Sequence, residues 1–325
     1  MIAFLKPLAG TLVVDLTRYL PGPFASRELL RLGARVVRLE SPEGDPLREI
    51  APEWDAALNA CKESVVCDLK REPELGRALC SQADVVLEGF RPGVADRLGI
   101  GAEDLPETVV YCSLTGFGSD GPHAARAGHD LNYLGYAGAL ADTAPALPPV
   151  QIADLGAGAL AAVVEILAAL LERGRTGRGR RIELSMTHGA HRLVAHRLGG
   201  EPLPRLLTGG LACYRIYATS DGRHLTVAAL EQQFFARLCG LLERPELVEL
   251  HLDPKAQEQL ATVLAEIFAS KPLAAWLQLF DGEDVAVGPV STLPEAAREF
   301  AASEPAGDAP ALGEHTEAWR AELGL

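Results

Sequence analysis

The chain has 325 residues, 48% hydrophobic and 23% charged, which is globular composition with room for one large domain or two smaller ones. A net charge of −14, with no run rich in Lys or Arg, argues against a nucleic-acid partner and requires that any anionic ligand find a local basic pocket. Six scattered cysteines form no C-x-x-C pair, so neither a zinc knuckle nor a redox dithiol is expected; reduced cytoplasmic thiols are the simplest account.

No basic segment followed by a long apolar stretch opens the chain, so no signal peptide is expected. Residues 12–16 are a short apolar run that predicts a buried strand. Pro21, Gly22 and Pro23 punctuate, residues 24–32 have helical spacing, and Gly33 suits a helix C-terminus. Residues 36–40 predict the next strand, which completes a strand–helix–strand unit, the germ of a parallel sheet. Strands are predicted again at 64–69, 84–88 and 109–114, with a helix over 72–81. Alternation of this kind means α/β, with ligands at the carboxyl ends of the strands.

Gly116, Gly118 and Gly121 fit G-x-G-x-x-G after a strand, but Pro122 follows at once and no strand ending in an acid lies about 20 residues on. A turn-rich loop is expected instead. Residues 155–171 are almost entirely Ala, Gly, Leu, Val and Ile, with Glu165 the one charge, and predict a helix buried all round. That run is shorter than a membrane span of about 20 residues, so no membrane crossing is expected. Asp154 sits where the helix would begin. It reads either as a capping carboxylate or as a reactive one at a buried helix mouth.

A strand at 181–184 and a helix at 186–198 follow; His188 and His191 share a face of that helix, but no further ligand completes a metal site. Glycines 199, 200, 209 and 210 mark a linker. Strands at 214–218 and 225–229, helices near 231–242, 255–269 and 272–280, and a strand at 284–290 predict a second, α+β domain. Residues 301–310 read as a Pro/Ala/Gly linker and 314–323 as a last amphipathic helix. The expected organisation is an α/β domain over 1–198 with a Rossmann-like open parallel sheet, a smaller α+β domain over 199–290, and a segment over 291–325 returning to the first.

Beyond Asp154, three groups could do chemistry. His129 follows a glycine-rich loop, Glu231 closes a predicted strand, and Lys70, Arg91 and Arg97 lie on loops after strands, where a phosphate could be held. Singly, each also reads as a hydrogen-bonded His, a capping Glu or solvated cations.

Together these residues resemble the family III CoA-transferases, in particular their α-methylacyl-CoA racemase branch. The resemblance runs through Pro21-Gly22-Pro23-Phe24, Leu32-Gly33-Ala34-Arg35-Val36-Val37-Arg38-Leu39-Glu40, Arg91-Pro92-Gly93-Val94, Ser113-Leu114-Thr115-Gly116-Phe117-Gly118, Asp154 with its helix, and Thr176-Gly177-Arg178-Gly179. It implies two chemistries at Asp154. In the transferases this carboxylate is a nucleophile; in the racemases it is one of two acid/base groups, the other being the His of Gly128-His129-Asp130-Leu131-Asn132-Tyr133, with Glu231 of Ala229-Leu230-Glu231 as its partner.

The resemblance implies CoA contacts at Asp68, Leu69, Lys70, Gly89, Phe90, Arg91, Arg97 and Tyr133, no cofactor beyond the CoA of the substrate, and an interlocked homodimer. The expected activity is epimerisation of a 2-methylacyl-CoA by 1,1-proton transfer through an enolate. The rivals are a CoA-transferase using Asp154 as nucleophile and a non-catalytic acyl-CoA-binding relative. Backbone N–H groups at the Asp154 helix mouth would stabilise the enolate and favour an ionised Asp154. Two departures stand out. Relatives often carry Arg directly after the acid that ends the second strand, where this chain has Ser41 and Arg38 is the nearby cation. The chain is also shorter than relatives around 196–210 and 298–312.

Overall fold

Runs of Val and Leu, with few polar interruptions, are what parallel strands need when both faces are covered. In the computed structural model, which describes residues 6–203, 205–300 and 307–325, six such runs pair: β1 (Leu12–Asp15), β2 (Arg35–Glu40), β3 (Glu63–Val66), β4 (Val85–Glu88), β5 (Val110–Thr115) and β6 (Arg181–Ser185). All pairings are parallel, in the order β3-β2-β1-β4-β5-β6. Val14 lies opposite Val37 on one side and Val86 on the other, so the middle of the sheet is a continuous apolar layer. Strand order reverses between β1 and β4. In an open α/β sheet this is where the loops diverge and leave a crevice.

Helices cover both faces. One core holds Leu29 and Ala25 of the Pro21–Arg31 helix with Ala153, Ala162 and Ile166 of the long central helix. The other holds Leu75 and Leu79 of the Pro73–Gln82 helix with Trp319 near the C-terminus. The Thr316–Leu323 helix and the chain before it cover the edge strand β3: His315 N–H donates to the Ser64 carbonyl at 2.9 Å, Val66 N–H to Thr316 Oγ1 at 3.0 Å, and Trp319 Nε1–H to Glu63 Oε2 at 2.7 Å. An open strand edge is thereby closed.

The contacts divide the chain into two units, Met1–His196 with Glu304–Leu325, and Arg197–Ser303. The second carries an antiparallel sheet of β7 (Tyr214–Ala218), β8 (His224–Ala228) and β9 (Val287–Pro289), with its own core around Phe235, Leu264, Phe268 and Trp276. The helix Leu293–Phe300 groups with this second unit rather than with the returning segment expected from 291 onward. The expected linker at 301–310 falls partly on residues 301–306, outside the described residues.

The central helix corrects the sequence reading in three ways. It runs unbroken for 25 residues, Ile152–Thr176, so length does not bar it from spanning a membrane. It is not buried all round, because Leu160 (47% exposed), Val164 (64%) and Leu171 (64%) form an open apolar stripe on one side. Its start, Ile152–Leu160, is a π-helix, and Gln151 rather than Asp154 stands at the cap. The richness in Gly and Ala serves close crossing as well as burial. A Cβ on Gly158 would meet Met186 Cγ at 2.9 Å, and one on Gly189 would meet the Ala157 carbonyl oxygen at 2.6 Å. The Met186–Val194 helix can lie against the π-helical turn only because both positions lack side chains.

Candidate active site

Two adjoining cavities open at the carboxyl ends of β1 and β4, the reversal point of the sheet. The larger, about 740 Å³, is lined by Thr17, Arg18, Tyr19, Gly89, Phe90, Arg91, His129, Tyr133 and Asp154 among others. The smaller, about 320 Å³, is lined by Ser41, Asp68, Leu69 and Lys70. Leu16, Thr17, Arg18, Phe90 and Val94 line both, so an elongated ligand can pass from one to the other. Of the expected CoA-contact residues, Arg97 lies in the short Val94–Arg97 helix and lines neither.

His129 precedes the helix Asp130–Tyr136, which is too short for its apolar period to show in the sequence. The first turn is locked reciprocally: His129 N–H donates to Asn132 Oδ1 at 3.1 Å and Asn132 N–H to the His129 carbonyl at 2.8 Å. The exposed imidazole meets the ring of Tyr19 edge-on, with centroids 6.5 Å apart and planes at 89°. Tyr133 is buried below, its hydroxyl donating to the Gly128 carbonyl. Gly116 and Gly128 make room for it, since a Cβ at either would sit 2.4 or 2.8 Å from its ring.

Asp154 lines the same cavity from the π-helical turn. Its backbone N–H donates to Asp130 Oδ1 at 3.0 Å, and Leu155 N–H to the Gln151 carbonyl at 2.8 Å. The Asp154 N–H is therefore not free to hold an enolate, as had been expected, because the neighbouring carboxylate takes it. Nor does the helix mouth keep Asp154 ionised at low pH. Burial, and then the charge of Asp130, push its carboxyl up to about 7. The same two carboxylates add to burial in pushing the Tyr133 hydroxyl up to about 12. At neutral pH Asp154 is poised both to give and to take a proton, the condition general acid–base chemistry favours.

Beneath the cavity floor lies a buried polar network that sequence reasoning missed. The ammonium of fully buried Lys62 donates to the Pro23 carbonyl, Ser26 Oγ and Asn59 Oδ1 at 2.7–2.8 Å and lies 3.9 Å from Asp15 Oδ2; burial pushes it down to about 7. Ser26 and Thr17 in turn donate to Asp15. Arg38 does not serve the cavity. It is buried, donates to Asp55 Oδ1 at 3.0 Å and pairs with Glu40 at 3.4 Å and Asp45 at 3.7 Å. The exposed cation beside Ser41 is Arg18, whose Nη2 donates to Ser41 Oγ at 3.1 Å.

Glu231 lies in the second unit, before the helix Gln232–Leu241. The strand end leading to it is held by His251, which is buried, stacks on Phe235 at 4.4 Å and approaches the Ala229 carbonyl with Nε2 at 3.0 Å. His188 and His191 are engaged with Ser185 Oγ and the Ala137 carbonyl, and among the described residues no cluster of three or more His, Cys, Asp or Glu could hold a metal ion.

A sequence model described as CoA-transferase family III matches residues 8–316. The α-methylacyl-CoA racemase of Mus musculus is 36% identical over 308 residues, covering 89% of this chain and 79% of its own length. Succinyl-CoA:glutarate CoA-transferase of Mus musculus is 32% identical over 320 residues, covering 89% and 73%. The crystal structure of a CAIB/BAIF family protein from Brucella suis superposes with a TM-score of 0.83 at 29% identity, covering 98% of this chain and 99% of that one.

Proposed function

This chain belongs to CoA-transferase family III, and on that premise we propose that it is a 2-methylacyl-CoA racemase or epimerase working by 1,1-proton transfer. The observation that carries the reading is the shared cavity. His129 and Asp154, an imidazole and a carboxyl raised to about 7, line one space and come from different helix starts. Inverting a carbon next to a thioester needs a base to remove the α-proton and an acid to return one from the other face. In one direction Asp154 takes the proton and protonated His129 delivers one; in the other the roles exchange. Glu231 enters as the partner of His129 by resemblance alone.

The substrate's CoA would lie along the two joined cavities, its nucleotide end toward Asp68, Leu69 and Lys70 and its thioester toward His129. Arg18 and Arg91 supply cations along this path. Arg18, bonded to Ser41, rather than the buried Arg38, is the cation that compensates for Ser41. No cofactor beyond the CoA of the substrate is needed. A homodimer is part of the same reading, supported by the open stripe of Leu160, Val164 and Leu171, which a second copy would cover; a cytoplasmic setting completes it.

The second reading is a CoA-transferase. It is favoured by the transferase relatives of comparable identity; the carboxylate at Asp154, which by resemblance serves both chemistries, is compatible with either. One experiment separates the two. A single enantiomer of a 2-methylacyl-CoA is incubated in D2O with and without an acceptor carboxylic acid, and the α-proton is followed by NMR. Loss of the α-proton without acceptor supports proton transfer, and His129→Gln abolishes it. CoA appearing on the acceptor while the α-proton stays supports the transferase.

A further inference from the structure

Five described non-glycine residues hold a positive φ: Tyr19 (64°), Cys61 (63°), Arg205 (51°), Glu243 (58°) and Ala286 (48°). Of these only Tyr19 lines one of the cavities described above. A left-handed backbone is costly for an aromatic residue and persists only where the surroundings over-determine it.

Those surroundings are two buried carboxylates below the loop. Asp45 accepts Tyr19 N–H on Oδ2 and Leu47 N–H on Oδ1, both at 2.9 Å. Asp15 accepts Thr17 N–H on Oδ1 at 2.9 Å and is itself held by Ser26 and Lys62. Arg38 pairs with both Asp45 and Asp55, and Asn59, which donates to Asp55 and accepts from Lys62, ties Asp45 to the network that holds Asp15. On the far side of the turn the chain enters the Pro21–Arg31 helix, with Phe24 N–H donating to the Leu20 carbonyl at 3.0 Å. The loop is thus pinned before and at Tyr19.

The pinning does not serve packing of the Tyr19 side chain, which is 44% exposed. What it achieves is contact with His129, edge-on at 6.5 Å, within the range of favourable aromatic pairs. We propose that Tyr19 is a positioning residue for His129: the strained turn presents its ring as a fixed wall that sets the plane of the imidazole in the cavity. The inference rests on the proton-transfer reading, in which a base misplaced by a fraction of its reach loses rate steeply.

The test uses Tyr19→Gly, which removes the ring and suits a positive φ, and Tyr19→Phe, which keeps the ring. In Tyr19→Gly, kcat for α-proton exchange falls by about tenfold to a hundredfold with KM little changed, while the melting temperature does not fall, because glycine adopts this conformation without penalty. Tyr19→Phe rescues the rate. In the substrate-free protein the His129 Cε1–H resonance, assigned by its loss in His129→Gln, moves in Tyr19→Gly and stays in Tyr19→Phe. The inference is overturned by a wild-type rate in Tyr19→Gly, by stability and rate falling together there, by Tyr19→Phe falling as far as Tyr19→Gly, or by an unmoved His129 resonance. Should the wild-type protein exchange no α-proton, the proton-transfer reading fails, and the His129 resonance still decides the role of Tyr19.

Discussion

The backbone N–H of Asp154 donates to the carboxylate of Asp130 at 3.0 Å, across 24 residues of sequence. One carboxylate thereby both anchors the turn carrying the other and, through its charge, makes that other harder to ionise. Asp130→Asn keeps an oxygen acceptor for the N–H and removes the charge. Asp154 then ionises at lower pH than about 7 but still above the ordinary carboxylate range, because burial is the larger cause. For the enantiomer whose proton Asp154 takes, the acid limb of the kcat/KM profile moves to lower pH. For the opposite enantiomer, which needs Asp154 protonated, the alkaline limb moves the same way. Profiles measured on both enantiomers check this, and unmoved limbs reject the coupling.

Asp154 also carries a stability signature. A carboxyl whose folded-state pKa is raised holds its proton more tightly when folded, so its stabilising effect is complete below the unfolded value and is lost as pH rises toward about 7. Asp154→Asn cannot ionise and escapes that loss. The variant is expected to be more stable than the native chain at pH 8 by on the order of 2 kcal/mol, after allowing for screening at a partly open site, with the gain shrinking steadily toward pH 4. Urea midpoints at the two pH values measure it. Equal midpoints at pH 8, with activity lost, would show an Asp154 that ionises without strain.

Much of the sheet was legible because buried parallel strands read as contiguous apolar runs, and all six appear near their expected positions. Their order was not, since pairing β1 with β4 joins segments some 70 residues apart and leaves no local period. The site divides in the same way. Gly128-His129 and Asp154 were visible as a local motif and a helix start. The hold of Asp130 on Asp154, the burial of Arg38 among three carboxylates and the positive φ of Tyr19 are tertiary facts. The exposed stripe was missed for another reason: a helix apolar on every side looks alike whether its last face meets its own core or is left open.

Arg38 and Arg18, both candidates for phosphate contact by position, are expected to behave oppositely. Arg38→Met removes the nearest countercharge of Asp45 and Asp55 and one of the two that hold Glu40, which keeps Arg48 at 2.8 Å, and should destabilise by about 3–5 kcal/mol, read as a fall in melting temperature. Arg18→Ala leaves the fold intact, since its guanidinium is exposed and bonded to Ser41. It weakens CoA binding and raises KM with kcat nearly unchanged, the mark of uniform binding. The loss should shrink at high salt, where exposed charges are screened. Calorimetric titration with CoA at two ionic strengths tests it, and an unchanged affinity in Arg18→Ala removes Arg18 from the path.

Gly189 lies under the turn that carries Asp154 and tests whether that turn must stay where it is. A Cβ there would stand 2.6 Å from the Ala157 carbonyl oxygen, which is backbone and cannot rotate aside. Gly189→Ala must therefore push the Met186–Val194 helix away from the π-helical segment, at about 1–3 kcal/mol of overpacking. Because Asp154 projects from the first turn of that segment, the push reaches the acid/base group as well as the fold. The expected result is a lowered melting temperature together with a fall in kcat that persists at temperatures where the variant is fully folded. Gly174→Ala, late in the central helix and with nothing within 4 Å of the added Cβ, is the control: it leaves kcat unchanged and raises the melting temperature slightly, because Ala is the better helix former. A stable, fully active Gly189→Ala would mean that the two helices can part without moving the carboxylate, and that close crossing is not what fixes Asp154 in the cavity.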